Sequence, residues 1–230
     1  MMLHGYASSL LEGAAWTLGV AACSWLIAMV LGMASAVASL APQPVWRGVA
    51  RGYTTLIRAV PDLVMMLLVY YGGQQLINHW LDATGATEPL DLNPFVAGVL
   101  TIGFIFGAYL SETFRGALLA VPAGQREAAL SVGMTPRQIF MRVVGPQMLR
   151  HALAPLSNNW LVLLKSTAIV SVIGLTDLMH RAGLAAGATR EPFLFYGVAA
   201  GLYLALTSLS EWAFAQWRRQ LDSGVREAAL

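Results

Sequence analysis

The residues of this sequence that could do chemistry are few and lie far apart. Lys165 is the single lysine, and it follows Leu164 rather than a glycine. The G-x-x-x-x-G-K-[ST] loop that holds nucleotide phosphates is therefore excluded from this chain. The four histidines are scattered, with no pair at the spacing of metal ligands, and Cys23 is the single cysteine. We predict no metal site, no disulfide within one chain and no catalytic constellation.

The most unusual polar groups lie in an apolar segment near residue 160. Asn158, Asn159 and Lys165 interrupt it, and Asn158 and Lys165 share one face of a helix. A charge inside a membrane costs about 2.5–3.5 kcal/mol, so this stripe needs a partner or a water-filled path. One hypothesis is that the three side chains line a translocation path, where Lys165 meets a substrate carboxylate. The other hypothesis is a buried ion pair of Lys165 with Glu112 or Asp62. An unpaired lysine would repel a cationic substrate, and this repulsion favours the ion pair.

Two further acidic residues have structural interpretations. Glu112 and Arg115 are one helical turn apart, so we expect them to pair with each other or with loop residues. Asp62 follows Pro61 in the predicted first turn of a helix, where a carboxylate interacts favourably with the helix dipole. For Asp62 we favour this role over substrate contact.

The composition is that of a membrane protein. Of the 230 residues, 57% are hydrophobic and 11% are charged, whereas soluble domains carry about 25% charged residues. A chain of this size cannot bury so much apolar surface in its own core, so lipid must cover part of it. The net charge is only +2 and the basic residues are dispersed, which argues against a nucleic-acid partner.

Uncharged runs long enough to cross a bilayer, which takes about 20 residues, divide the chain. Between Glu12 and Arg47 there is no charged residue, and the same holds between Asp62 and Asp82. Asn93-Pro94 opens a third run. The sequence predicts an all-α integral membrane protein with five transmembrane helices, at about 13–40, 62–81, 94–119, 153–175 and 193–212.

Lysine and arginine counts in the short loops predict the orientation. The loop after the first span, the loop near residues 121–146 and the C-terminal tail are rich in arginine. The N-terminal segment and the 82–93 loop have neither lysine nor arginine, and the two arginines of the 177–191 loop are offset by Asp177 and Glu191. We expect the N-terminus outside, and both the 121–146 loop and the C-terminus in the cytoplasm.

The 121–146 loop has the pattern of two short helices. The first is predicted over Glu127–Val132, and Gly133 ends it because glycine accepts the left-handed conformation. Thr135 and Pro136 start the second helix, as N-cap and first residue. A helical turn between two spans is typical of a docking element, and a solvated connector is the alternative.

This loop carries a resemblance to a known family. Glu127-Ala128-Ala129, Gly133, Phe140 and Pro146 resemble the Glu-Ala-Ala loop of ABC-importer permeases, although Gly145 stands where that family usually has leucine. Four other segments are similar to the polar amino acid branch of the family, and in particular to the membrane subunits of histidine, lysine-arginine-ornithine and opine importers: 52–63, 107–116, 157–160 and 165–168. The similarity covers about residues 10–228.

The resemblance implies a type I ABC-importer transmembrane domain at 13–212, with a coupling loop at 121–146 and a cytoplasmic tail at 213–230. The chain would be a multi-pass permease of the bacterial inner membrane for polar, and chiefly basic, amino acids. Its implied partners are two cytoplasmic ATPase subunits that bind ATP and Mg²⁺, a second permease, and an extracellular binding protein. Glu127, Ala128, Ala129, Gly133 and Phe140 would couple it to the ATPase, and the two alanines would leave room for close docking.

The resemblance leaves several points open. In similar permeases for basic amino acids the position of Asn159 is often glutamate, so a paralogous partner could hold the main substrate site. The ligand could be histidine, arginine, ornithine, lysine or an opine, and the second permease could be a copy or a paralogue. Two other classes remain: a secondary transporter or channel that works alone, and a structural membrane subunit without its own substrate.

Overall fold

The computed structural model describes residues 3–84 and 90–222, and every regular element within these ranges is helical. In chain order the helices are α1 (Ala7–Ser39), α2 (Pro44–Ala59), α3 (Asp62–Leu67), α4 (Gly73–Ala83), α5 (Pro94–Ala120), α6 (Ala123–Ser131), α7 (Pro136–Ile139), α8 (Gly145–Ser166), α9 (Leu178–Thr189) and α10 (Pro192–Asp222). π-Helical turns at Leu68–Gly72 and Phe140–Val144 join α3 to α4 and α7 to α8, and a 3-10 segment, Thr167–Ile173, extends α8.

The predicted five spans are found. Four helical runs of the described chain are long and apolar enough to cross a membrane: Ala7–Ser39, Pro94–Ala120, Pro136–Ile173 and Pro192–Leu221. The fifth is a bent pair, in which α2 meets the run Asp62–Ala83 at 105°. The run Pro136–Ile173 contains most of the predicted span 153–175 but begins earlier, because the π turn keeps α7 and α8 continuous. α10 contains the predicted span 193–212 and continues past residue 212 without a break. Tail residues 223–230 lie outside the described residues.

The core is built on α1 and α5, which run side by side in the same direction. Gly103 of α5 lies against Ile27, where an added Cβ would come within 2.8 Å of that side chain. Gly32 of α1 lies against Leu110 in the same way, at 2.6 Å. Such contacts at the small residues let the two backbones approach closely. Gly103 and Gly32 therefore serve the packing of helices within this chain.

The other spans alternate in direction around this pair. Trp160 of α8 packs edge-to-face on Trp25, with ring centroids 5.5 Å apart, and Gly98, near the start of α5, faces Val170, which follows α8. α8 therefore runs antiparallel to α5. The start of α10 packs beside the start of α1, where Phe195 stacks edge-to-face on Tyr6. The alternation that the loop charges predict is present in the fold.

α9 closes the end of the bundle at which α1 and α10 begin. Leu10, Leu178 and Phe195 form the buried centre of a second apolar cluster there. Arg181 of α9 donates to both carboxylate oxygens of Glu12, at 2.9 and 2.6 Å. The loop that follows α5 lies at the opposite end of the bundle, so the two polar regions of the chain are separated by the length of the spans.

Candidate functional site: the α6–α7 elbow and the exposed face of α8

The turn between α6 and α7 has the geometry that its sequence predicts. α6 ends at Ser131, and Gly133 has a φ of +79°. The amide of Met134 donates to the carbonyl of Ala129, which closes the helix in the manner of a Schellman motif. Gly133 therefore ends the first helix, as expected, while α6 itself begins four residues before the predicted Glu127.

α7 starts with a complete capping box. The Thr135 hydroxyl accepts from the amide of Gln138 at 3.4 Å, and the Gln138 side chain accepts from the amide of Thr135 at 2.9 Å. Pro136 occupies the first helical position, where its missing N–H costs nothing. These contacts fix the angle between the two short helices. We call residues 123–144 the elbow.

The predicted coupling residues divide into exposed and buried ones. Glu127, Ala128 and Gly133 are exposed, and Phe140 is 40% exposed. Ala129 is only 6% exposed, so its side chain packs inside this chain. The docking role of Ala129 stays a prediction, and α6 turns this side chain towards its own fold. Ala128 is the one of the two alanines that a partner could reach.

The elbow also exposes apolar side chains that the sequence motifs do not include. Val132 is 75% exposed, Met141 is 65% exposed and Leu130 is 50% exposed. The sequence could have indicated this surface, because valine and leucine are unusual in a polar turn that carries arginines. An exposed apolar surface on a rigid turn is typical of a docking element.

Gly145 has a steric reason to differ from leucine. The π turn brings the carbonyl oxygen of Phe140 to within 2.7 Å of where a Cβ on Gly145 would stand. The amide of Gly145 donates to that same carbonyl. A larger residue at this position would force the turn to open, so glycine is the residue that this junction with α8 accommodates.

The predicted path residues do not all share one environment. Asn158 and Lys165 are exposed and lie two turns apart on one face of α8. Asn159 is half-buried, and its amide donates to Thr113 of α5 at 3.1 Å and to the carbonyl of Pro155 at 2.8 Å. Asn159 therefore links α8 to α5, while Asn158 and Lys165 form an open polar stripe.

Part of this stripe borders a cleft of about 420 Å³ between α8 and α10. Asn158 and Ser157 lie on its α8 side, and three charged residues line its α10 side: Glu211, Arg218 and Arg219. Glu211 is not among the predicted site residues, although an acidic residue in an otherwise apolar span is a signal of function.

The ion-pair alternative for Lys165 is not what the fold contains. Glu112 accepts from Arg115, with Oε2 2.6 Å from Nη2, as the spacing predicts. Neither Lys165 nor Asp62 forms an ion pair within residues 3–84 and 90–222. The described residues therefore contain no ion pair of Lys165 with Glu112 or Asp62, and Glu112 is engaged within its own helix. Asp62 stands in the first turn of α3.

No group of three histidine, cysteine, aspartate or glutamate side chains in the described part of the chain could hold a metal ion.

Comparison with known proteins identifies the class. The model of the family described as binding-protein-dependent transport system inner membrane component matches residues 28–220. The chain belongs to this family. Together with its apolar spans, this makes it a protein of the bacterial inner membrane.

The individual relatives are amino acid permeases. The chain is 44% identical to the histidine/lysine/arginine/ornithine transport system permease protein HisQ of Salmonella typhimurium, over 229 residues and 100% of both chains. It is 39% identical to the octopine transport system permease protein OccQ of Agrobacterium tumefaciens, over 225 residues, 96% of this chain and 95% of that one. A crystal structure of an amino acid ABC transporter with histidines has 31% identity and a TM-score of 0.78, covering 94% of this chain and 95% of its own. The fold is that of an ABC-importer transmembrane domain.

Proposed function

We propose that this chain is the permease subunit of an ATP-driven importer for basic amino acids or for opines derived from them. The full-length similarity to HisQ and OccQ supports this class of substrate, because both relatives are named for such ligands. In this proposal two permeases form the path, an extracellular binding protein delivers the ligand, and two ATPase subunits bind ATP and Mg²⁺. The arginines near both ends of α2, in the elbow and at the end of α10 favour the cytoplasmic side for that end of the bundle.

The observation that carries the coupling proposal is the exposed apolar surface on a turn of fixed geometry. A coupling element must transmit a displacement, so it cannot flex. The capping box at Thr135 and the glycine termination at Gly133 fix the turn, and α7 continues through the π turn into α8. Ala128, Val132 and Phe140 offer apolar contact to a partner groove.

A bulky side chain at position 128 tests whether the elbow couples transport to the ATPase. In proteoliposomes that hold the permease, its ATPase and its binding protein, Ala128→Trp should reduce uptake at least about tenfold, because a misplaced coupling contact removes the mechanical link. Ala22→Trp is the matched control, since Ala22 is an exposed alanine of α1, away from the elbow. Gly133→Asp should also uncouple, because aspartate is strained at this positive φ. Normal uptake by both elbow variants, with Ala22→Trp also normal, would refute the docking role.

For the substrate, we propose that Lys165 binds the α-carboxylate rather than the side chain. Its ammonium group is exposed on the stripe with Asn158, and no carboxylate neutralises it within the described residues. A cationic side chain would be repelled there, so that end of the ligand must be bound elsewhere, by Glu211 or by a second permease. Asn159 would position α8 through its bond to Thr113, with no contact to the ligand.

Decarboxylated substrate tests this assignment. If arginine is the ligand, agmatine keeps the guanidinium group and lacks the carboxylate. The wild-type importer should prefer arginine, and Lys165→Met should narrow the ratio of the two uptake rates by about tenfold, which is the effect of one charge-assisted hydrogen bond of about 1.5 kcal/mol. Lys165→Arg should restore part of the preference. Because the same binding protein serves every variant, its own selectivity cancels, and an unchanged ratio in Lys165→Met would contradict the proposal.

A transporter that works alone is the second class to exclude. Reconstituted permease without ATPase should show no saturable uptake. Uptake at the full rate under these conditions would overturn the ATP-driven mechanism.

A further inference from the structure

Two buried polar atoms near α9 have no hydrogen-bond partner within the described residues. Asp177 is 1% exposed and caps α9, with Oδ1 accepting from the amide of His180 at 2.9 Å. Its second oxygen, Oδ2, makes no hydrogen bond in the described part of the chain, and the same is true of the buried hydroxyl of Tyr203 on α10. A buried polar atom that stays unsatisfied lowers the stability of the folded chain.

Two buried hydroxyls from other elements lie beside this pair. The Tyr203 hydroxyl lies close to the side chains of Thr17 on α1 and Thr167 in the 3-10 segment, and feels the charge of Asp177. Thr17 is 0% exposed and Thr167 is 1% exposed. Thr17 and Thr167 are therefore buried beside the Tyr203 hydroxyl, and Thr17 also contacts the first turn of the helix that Asp177 caps.

The existing hydrogen bonds define which valences remain. Thr17 accepts from the amide of Leu178 at 3.3 Å, so its own hydroxyl hydrogen is still available. Thr167 donates to the carbonyl of Leu164 at 2.7 Å, so only its acceptor lone pairs remain. Tyr203 offers a donor, and Asp177 Oδ2 is an acceptor when ionised. The site thus presents two donors and two acceptors.

We propose that Asp177, Tyr203, Thr17 and Thr167 bind one ordered water molecule. Water offers two hydrogens and two lone pairs, which is the complement of this set. It accepts from Tyr203 and Thr17 and donates to Asp177 Oδ2 and Thr167. The neighbouring Arg181 is otherwise engaged, since it bonds Glu12, Ser9 and the carbonyl of Thr176. The water joins α9 to the first, fourth and fifth spans in an otherwise apolar cluster.

The direct test is an experimental map of the assembled importer at a resolution that shows ordered water. The expected result is one density peak within about 2.6–3.2 Å of both Asp177 Oδ2 and the Tyr203 hydroxyl oxygen. Tyr203→Phe keeps the ring volume and should lose the peak. A direct contact between the two side chains with no peak would overturn the proposal. A peak with ligand distances near 2.4 Å and a melting temperature that rises with sodium would also overturn it, because the guest would then be a cation.

A double-mutant cycle provides a second readout in solution. Tyr203→Phe and Thr17→Val should each lower the folding equilibrium constant about fivefold or more. If both hydroxyls bind the same water, the double variant should lose clearly less than the product of the two single losses. Tyr196→Phe is the matched control on the same helix, where the ring is 46% exposed and the loss should be small. A loss equal to the product would show that the two hydroxyls do not share a guest.

Discussion

Removing the charge of Asp177 should stabilise the protein at neutral pH. Burial raises the pKa of the Asp177 carboxyl from 3.8 to about 6, although the amide hydrogen bond from His180 opposes this shift. The folded chain therefore keeps a proton that the unfolded chain has lost between about pH 4 and pH 6. The stabilisation linked to this proton is complete below about pH 4 and is lost as the pH rises through 6. At 1.36 kcal/mol per unit, the loss is on the order of 3 kcal/mol.

The assay is equilibrium unfolding of the purified chain in mixed detergent micelles at pH 4, 5, 6 and 7. Wild type should lose most of this stability between pH 4 and pH 6, and Asp177→Asn should be flatter and more stable than wild type at pH 7. Asparagine keeps the N-cap of α9, so helix capping does not confuse the comparison. His180 is the ionisable neighbour whose amide and charge act on the Asp177 carboxyl. His180→Gln is therefore the control. Parallel pH curves for wild type and Asp177→Asn would refute the reasoning.

Three other variants test the packing. Gly32→Val should destabilise the chain by about 1–3 kcal/mol, because the new side chain meets Leu110 where even a Cβ would be 2.6 Å away. Unfolding in micelles measures this loss of stability, and a neutral result would contradict the close α1–α5 contact. Arg181→Met should lower the stability of the chain by about 1–3 kcal/mol and raise protease sensitivity near α9, because the bonds to Glu12 are lost while Glu12 stays solvated. Unchanged proteolysis would argue against a stabilising role of the Arg181–Glu12 pair. Arg115→Met should change stability by less than about 1 kcal/mol, because its ion pair is about a third exposed; a larger loss would indicate a further partner.

The sequence predicted the elements that depend on local rules. Gly133, Thr135 and Pro136 act through neighbours within a few residues, so the turn of the elbow could be inferred from their types alone. The spans could be inferred because a bilayer demands long uncharged runs. The extension of α7 into α8 could not, because the π turn at Phe140 follows from a single steric allowance at Gly145.

The sequence could not predict which side chains of a helix are buried, or which distant residues pair. Ala128 and Ala129 are identical in type and adjacent, and only the packing of α6 decides that one is exposed and the other buried. Arg181 pairs with Glu12, 169 residues away, which no spacing rule connects. The partner of Lys165 could not be inferred either, although the spacing alone predicts that Arg115 engages Glu112.

The central claim is that the elbow docks on an ATP-hydrolysing partner in the cytoplasm. Cross-linking from Ala128→Cys, in a Cys23→Ser background, tests it most directly in membranes that contain the whole importer. We expect a cross-link between residue 128 and the ATPase subunit, with a yield that changes with ATP. The unmutated chain, whose Cys23 is exposed on α1, is the control and should give no cross-link to the ATPase. Failure of Ala128→Cys to capture the ATPase, or its labelling by a reagent that reaches only the external face, would contradict the account.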